Sequence, residues 1–288
     1  MARFQHPWAP HPISHSRIPE GRTGKCRARG TKDGVVVPLN YGFATSLALD
    51  PIEKKPLKRF YPGSRILSIG SYGCNLNCPF CQNWEISMSD GSEFRRSKRA
   101  AEHVFEPDVL ADMAEQLTER GNIGVAFTYN EPLISYEFVR DTAKLLREKD
   151  LKTVLVTNGC VNDEIADEVL PLTDALNIDL KSFQEDVYRK TLGGDLETVK
   201  RFIAKATEQC HVELTSLIVP GMNDSEDEIR AMTRWIASLP GGNEIPLHIT
   251  RFFPRYRVTD RKPTDRALLL RLVEVAREEL QYVYPGNI

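Results

Sequence analysis

The sequence predicts an α/β protein built on an open, partial (β/α)6 barrel of the TIM-like kind, and three observations predict it. From Arg65 onward, short apolar runs rich in β-branched and aromatic residues alternate with longer amphipathic stretches, six times over. That order implies a parallel sheet with right-handed crossovers, and six units are too few for a closed barrel of eight. The chain has 288 residues and is 41% hydrophobic, enough to bury a core of that size.

Two regions follow from this pattern: an N-terminal extension over residues 1–64, and the barrel with its C-terminal segment over residues 65–288. Met1–Lys32 is rich in Pro, His and Arg and has no apolar periodicity, so it reads as poorly ordered or wrapped around another part of the chain. His6, His11 and His15 could bind a metal there, against the simpler reading of a solvated tail. Val35–Leu49 alternates apolar and small residues around Asn40-Tyr41-Gly42, which predicts a small hairpin.

The expected barrel strands are Arg65–Ile69, Gly124–Thr128, Thr153–Thr157, Ala175–Leu180, Val212–Val219 and Leu247–Phe252. The expected helices are Asp108–Arg120 behind Pro107 and Leu133–Lys149 behind Pro132, since proline suits a first helical turn. Leu196–Glu208 follows, with Val199, Phe202 and Ile203 on one face. Ser225-x-x-Glu228 forms a capping box that opens Ile229–Leu239, and Thr264–Leu280 is the last helix.

Chemistry concentrates in Gly73-Cys74-Asn75-Leu76-Asn77-Cys78-Pro79-Phe80-Cys81, a C-x3-C-x2-C run directly after the first barrel strand. Three thiolates on one loop suit three corners of a cubic iron–sulfur cluster and leave the fourth iron open, whereas an electron-transfer cluster normally takes four cysteines. Structural zinc would want a fourth ligand, often from a second pair, but Cys160 and Cys210 stand alone. Six cysteines without framework spacing, and no signal peptide, speak against disulfides and for a reducing, cytoplasmic setting. Net charge is −2 with a pI near 6.3, so no global pull toward nucleic acid exists. No apolar run is long enough to span a bilayer.

In parallel β/α folds chemistry gathers at the carboxyl ends of the strands. The cysteine loop, Thr128-Tyr129-Asn130-Glu131-Pro132, Thr157-Asn158-Gly159, Asp179-Leu180-Lys181, Pro220-Gly221-Met222-Asn223 and Arg251-Phe252-Phe253-Pro254-Arg255 all fall there. One polar rim is therefore expected. Taken singly, each of these residues could equally be a helix cap or a loop charge.

The cysteine spacing, with Phe80 before the last cysteine, resembles the signature of radical S-adenosylmethionine (SAM) enzymes. More narrowly, the chain is similar to pyruvate formate-lyase activating enzymes and to the radical enzyme of the AmmeMemoRadiSam group. The similarity is carried by Asp50-Pro51-Ile52-Glu53-Lys54-Lys55-Pro56-Leu57, Phe60-Tyr61-Pro62-Gly63-Ser64, Cys81-Gln82-Asn83-Trp84-Glu85-Ile86-Ser87, Thr128–Pro132, Asn177–Lys181 and Tyr284-Pro285-Gly286-Asn287. It covers roughly Gly21 to Ile288. The resemblance implies the same partial barrel. It also implies a [4Fe–4S] cluster on Cys74, Cys78 and Cys81 as the catalytic and metal-binding trio, with SAM on the open iron. One electron then gives a 5′-deoxyadenosyl radical that takes hydrogen from a substrate.

Phe80, Asn130, Glu131, Thr157, Asn158, Asp179 and Lys181 form the expected cofactor-binding set. Phe80 would lie near the adenine. Asn130-Glu131 stands where other radical enzymes carry the Gly-Gly-Glu that binds the methionine ammonium. Lys181 could meet the carboxylate, with Asp179 beside it, and Thr157, Asp179 and Lys181 match cofactor or cation positions of the activating enzymes.

Two departures stand out. Gly21-Arg22-Thr23-Gly24-Lys25-Cys26 ends like a cysteine-rich segment of the group but lacks the earlier cysteines, so Cys26 reads as a lone thiol. Val156 replaces an aspartate used elsewhere for a monovalent cation. The implied partners are a reduced flavodoxin or ferredoxin and a protein or peptide substrate, a glycyl-radical partner among them. The alternatives are radical modification of a small molecule, or a non-enzymatic iron–sulfur sensor or electron carrier. Arg95-Arg96-Ser97-Lys98-Arg99 could dock an acidic donor or be a solvated face, and Arg255, Arg257, Arg261 and Lys262 could hold an anion or a peptide. His248 reads as a core histidine or a residue near the substrate, Cys160 as a packed thiol or a hydrogen relay, and Cys210 as core.

Overall fold

A computed structural model describes residues 18–96 and 103–288. His6, His11 and His15, and the Ser97-Lys98-Arg99 end of the basic run, lie outside the described residues. From Ile18 on, the N-terminal extension is wrapped against the barrel. Cys26 and Ala28 are fully buried, and Arg29 makes a bidentate pair with Glu137 at 2.7 and 2.9 Å. Between Ile18 and Ala28 the packing is done by an irregular strap, which has no apolar periodicity.

The hairpin is displaced from its expected place. Strands β1 (Arg29–Lys32) and β2 (Val35–Pro38) pair antiparallel across Asp33-Gly34, whose φ values are 53° and 77°. Asp-Gly with both φ positive is the signature of the tight turn that matches strand twist, so this dipeptide, not Asn40-Tyr41-Gly42, sets the bend. The residues expected to form the second hairpin arm feed strand β3 (Ser46–Pro51), which joins the main sheet. The sheet thus continues across the boundary expected at residues 64 and 65.

The main sheet adds β4 (Arg65–Gly70), β5 (Asn122–Phe127), β6 (Lys152–Thr157), β7 (Ala175–Asp179), β8 (His211–Ile218), β9 (Leu247–Arg251) and β10 (Val283–Gly286). Its order is β10-β9-β8-β7-β6-β5-β4-β3. All neighbours pair in parallel except β3 with β4, and β3 and β10 are free edges, so the barrel is open. Strand β10 is an addition to the six expected, because Val-Tyr-Pro-Gly reads as a turn. An edge position tolerates its proline.

Helices α1 (Trp84–Ser87), α2 (Ser92–Arg95), α3 (Pro107–Gln116), α4 (Tyr136–Glu148), α5 (Asp163–Val169), α6 (Leu196–Thr207), α7 (Glu226–Ala237) and α8 (Arg266–Arg277) fill the connections. Helix α5, seven residues long, has too short a period to be seen in the sequence. Asp195 and Asp265 cap α6 and α8. Only half of the predicted capping box forms. Ser225 Oγ accepts from Glu228 N–H at 3.2 Å, while the Glu228 carboxylate turns to Ser182 Oγ and Phe183 N–H at 2.6 and 2.7 Å and so pins the loop after β7.

The narrow end of the barrel is sealed by the segment between β3 and β4. Ile52, Leu57 and Phe60 pack on Ile66, Ala126, Val154 and Ala175. Asn177 Nδ2 donates to the Pro56 carbonyl at 2.9 Å, and the fully buried Glu213 accepts from Lys58 and Arg59 N–H at 2.9 and 2.7 Å. His248 and His211 complete that carboxylate's shell at 2.6 and 3.1 Å; His248 is buried and also borders the barrel's large cavity. Burial pushes Glu213 up, but these donors outweigh it and hold the group near 2. A depressed carboxylate gives stability that is present above its unfolded value and lost as pH falls toward 2. Glu213→Ala is therefore expected to cost about 3 kcal/mol at pH 7, with a difference from wild type that shrinks as urea melts are taken from pH 5 down to pH 3.

Candidate active site at the open end of the barrel

The cysteine loop leaves β4 and is braced from both sides. Gly73 has φ +86°, and a Cβ there would stand 2.6 Å from the Cys26 carbonyl oxygen and 2.7 Å from Ala28 Cβ, so the N-terminal strap fits only against glycine. Arg27 Nη2 donates to Asn77 Oδ1 at 3.1 Å, and Asn77 N–H donates to the Leu192 carbonyl at 2.8 Å. Within the barrel, Asn75 Nδ2 donates to the Cys160 carbonyl at 2.7 Å. Cys26 is thus a buried lone thiol whose backbone supports the loop.

Cys74, Cys78 and Cys81 border one cavity of about 590 Å³, together with Phe80, Asn130, Glu131, Thr157, Asn158, Asp179 and Lys181. Every residue expected at the site therefore reaches the same space, although the sequence draws them from four separate strand ends. Among the described residues no three His, Cys, Asp or Glu side chains converge as they would around one metal ion. A cube of iron and sulfide holds its thiolates further apart than a single zinc ion does. Burial pushes the Cys74 and Cys78 thiols up, Cys78 to about 11 despite the opposing charge of Lys181. Any metal or cluster bound by these thiols would therefore displace protons.

Glu131 is the most heavily organised group. Its Oε1 accepts from Leu133 N–H at 3.0 Å and Thr157 Oγ1–H at 2.7 Å, and Oε2 accepts from Asn158 N–H at 2.8 Å. A carboxylate oxygen takes two donors, so Oε2 retains room for one more, and Glu131 lines the cavity. Burial raises Glu131 to about 7 against the pull of these donors. Among the described residues no ion pair is made to Glu131, although the charge of Lys181 helps favour the carboxylate.

Other expected residues turn out to position this group. Thr157 spends its hydroxyl on Glu131. Asn130 Nδ2 donates to the Tyr72 and Gly73 carbonyls at 3.2 and 3.1 Å, and its Oδ1 accepts from Ser71 N–H at 2.9 Å. Its amide ties the cysteine loop to the end of β5 while the residue lines the cavity. Lys181 Nζ pairs with Asp179 Oδ2 at 2.7 Å. Burial alone would lower Lys181, but the charges of Asp179 and Cys78 outweigh it and keep the ammonium protonated.

Sequence reasoning passed over a second polar cluster on the cavity wall. Lys55 is 1% exposed, pairs with Asp50 at 2.7 Å and lies 5.0 Å from the Tyr129 ring centroid. Tyr129 donates its hydroxyl to the same Asp50 and has φ +74°, a costly conformation just ahead of Asn130-Glu131. Its carbonyl accepts from Asn83 Nδ2 at 2.8 Å. The Asp50–Leu57 motif was the available signal, but Lys54-Lys55 reads as surface charge. At the rim, Arg257 N–H donates to the Pro79 carbonyl at 2.9 Å and Trp84 stacks on Tyr256 at 5.1 Å. The exposed Arg255, Arg257, Arg261 and Lys262 thus belong to a loop that touches the cysteine loop. Cys160 is buried and Cys210 half-buried, with its thiol toward the Leu170 carbonyl at 3.5 Å.

Comparison with known proteins agrees with this geometry. Residues 68–236 match the family model of the Radical SAM superfamily. A protein of Methanocaldococcus jannaschii, described as uncharacterized, is 38% identical over 278 residues, covering 95% of this chain and 79% of that one. Pyruvate formate-lyase 1-activating enzyme of Escherichia coli is 24% identical over 191 residues, 65% of this chain and 74% of that one. Among solved structures, Streptococcus suis SuiB bound to S-adenosylmethionine superposes with a TM-score of 0.57 at 15% identity, over 77% of this chain and 52% of SuiB. That match shows the fold, and this chain spans about half the length of SuiB. The protein belongs to the radical SAM superfamily and is an enzyme whose cofactors are a [4Fe–4S] cluster and S-adenosylmethionine.

Proposed function

We propose that the enzyme cleaves SAM reductively and takes a hydrogen atom from a protein or peptide substrate. The observation that carries this reading is the meeting of three thiols and a pre-held carboxylate, Glu131, on one cavity wall. Cys74, Cys78 and Cys81 would hold the cluster, and Glu131 Oε2 would accept from the methionine ammonium. The Asp179–Lys181 pair offers the remaining N–H donors of Lys181 to the methionine carboxylate, and the buried Phe80 supplies an apolar wall for the adenine. When bound, the cofactor pair supplies one-electron cleavage and a carbon radical. The chain's own residues orient it and shield it from water.

A protein or peptide target is supported by the likeness to an activating enzyme that acts on pyruvate formate-lyase. It is also supported by the fold shared with SuiB, which has been seen bound to a precursor peptide. A sensor or plain electron carrier has no use for Glu131 and its three donors. All six cysteines are free thiols, which suits a reducing, cytoplasmic setting. No helix among the described residues is long and apolar enough to cross a membrane.

The test is anaerobic reconstitution, reduction and addition of SAM, with 5′-deoxyadenosine as the readout. A fully loaded, reduced protein that forms none defeats the reading. An acidic electron donor such as reduced flavodoxin or ferredoxin would dock on the basic loop against Pro79. Arg255→Glu with Arg257→Glu is then expected to raise the KM for the donor about tenfold at low salt, with little change at high salt and none when dithionite replaces the protein donor.

A further inference from the structure

We propose that Asn158 is a positioning residue that sets the reduction potential of the cluster and links it to the Glu131 pocket. The inference rests on the roles given above to Cys74 and Glu131. Asn158 is buried and its amide is fixed at both ends. Oδ1 accepts from Cys160 N–H at 2.9 Å, and Nδ2 donates to Asn75 Oδ1 at 2.8 Å. Turning the amide over would set a carbonyl against Asn75 Oδ1 and N–H against N–H, so its orientation follows from its partners. The second hydrogen of Nδ2 is thereby aimed at Cys74 Sγ, 3.7 Å away. Leu76 N–H also points at that sulfur, at 3.4 Å.

Hydrogen bonds to a ligating sulfur draw charge off it and favour the reduced cluster, more so in a buried site of low dielectric. The backbone N–H of the same residue donates to Glu131 Oε2, the oxygen with room for an ammonium. One residue therefore touches both a cluster ligand and the Glu131 carboxylate that would meet the cofactor's ammonium. Coupling between two sites is reciprocal: if SAM shifts the cluster's potential through Asn158, reduction must shift SAM affinity by the same factor.

The test is an EPR-monitored reductive titration of the reconstituted full chain, with and without SAM, for wild type, Asn158→Ala and Asn158→Asp. At the wild-type midpoint, Asn158→Ala is expected to lower the reduced-to-oxidised ratio about tenfold, equivalent to 59 mV for one electron. Asn158→Asp keeps the acceptor for Cys160 N–H but sets a carboxylate beside the sulfur, and is expected to lower the ratio further. The SAM-induced change in the ratio should shrink in both. Ratios within about twofold of wild type, in variants that bind about four irons per chain, overturn the proposal. Should neither variant hold iron, Asn75→Ser decides. It removes the contact that aims the second Nδ2 hydrogen at Cys74 Sγ, so the ratio must fall, and an unchanged ratio overturns the proposal. A wild-type chain that binds no cluster takes down the site reading as well, whereas a wild type that cleaves SAM beside unchanged variants takes down only this inference.

Discussion

Cys78→Ala is expected to abolish both cluster binding and 5′-deoxyadenosine formation while leaving the fold intact. Cys78 is one of only three thiols on the loop, and no other described cysteine lines the cavity. Cys26 lies under Gly73, Cys160 gives its backbone to Asn75 and Asn158, and Cys210 faces the Leu170 carbonyl. No reserve ligand stands ready to complete a cube. Iron and sulfide analysis after anaerobic reconstitution should fall from about four irons per chain to near none, and the visible absorbance of the cluster should vanish. Circular dichroism should stay unchanged, because the loop is also held by Asn130, Arg27 and Leu192. Retained activity would refute the ligand assignment.

The second large effect concerns Glu131. Removing its charge with Glu131→Gln should weaken SAM binding about thirtyfold or more, since breaking a buried, hydrogen-bonded charge pair costs roughly 2–5 kcal/mol. It should do so without loss of iron. The same group gives SAM affinity a pH dependence of known sign. With Glu131 at about 7 in the empty site, the carboxyl must shed a proton to meet an ammonium when pH is below 7. Affinity should therefore fall about tenfold per pH unit there and level off above pH 8. Isothermal titration with SAM across this range should show the slope in wild type and a flat line in Glu131→Gln. For folding the sign is the reverse of that at Glu213. A carboxyl raised in the folded state favours the protonated protein, so its contribution to stability is fully present at low pH and is lost as pH rises through about 7.

Much of this site was legible in the sequence because its logic is local. The spacing of Cys74, Cys78 and Cys81 is read within eight residues, and the strand-end rule places Glu131, Thr157, Asp179 and Lys181 on one rim without any coordinates. The six expected strands lie within two residues of their observed bounds, since buried parallel strands are continuous apolar runs. What escaped is long-range. Asn130 turns to the backbone of residues 71–73, and Asn158 to a sulfur 84 residues away. No periodicity encodes either contact, so the bracing bonds of these two cavity-lining residues were not foreseen. The Asp50–Lys55–Tyr129 cluster escaped for the same reason: a lysine buried by distant partners has the sequence signature of an exposed one. Strand β10 was hidden by Pro285 and Gly286, which mark a turn unless an edge strand accepts them.

The central claim is that three cysteines and Glu131 build one site, in which a cluster with an open iron receives SAM. The most direct test is the EPR spectrum of the reduced, reconstituted protein before and after SAM is added. SAM should change the spectrum of the wild-type cluster, and at the same SAM concentration Glu131→Gln should give a fully assembled cluster whose spectrum does not move. A wild-type spectrum indifferent to saturating SAM would contradict the claim.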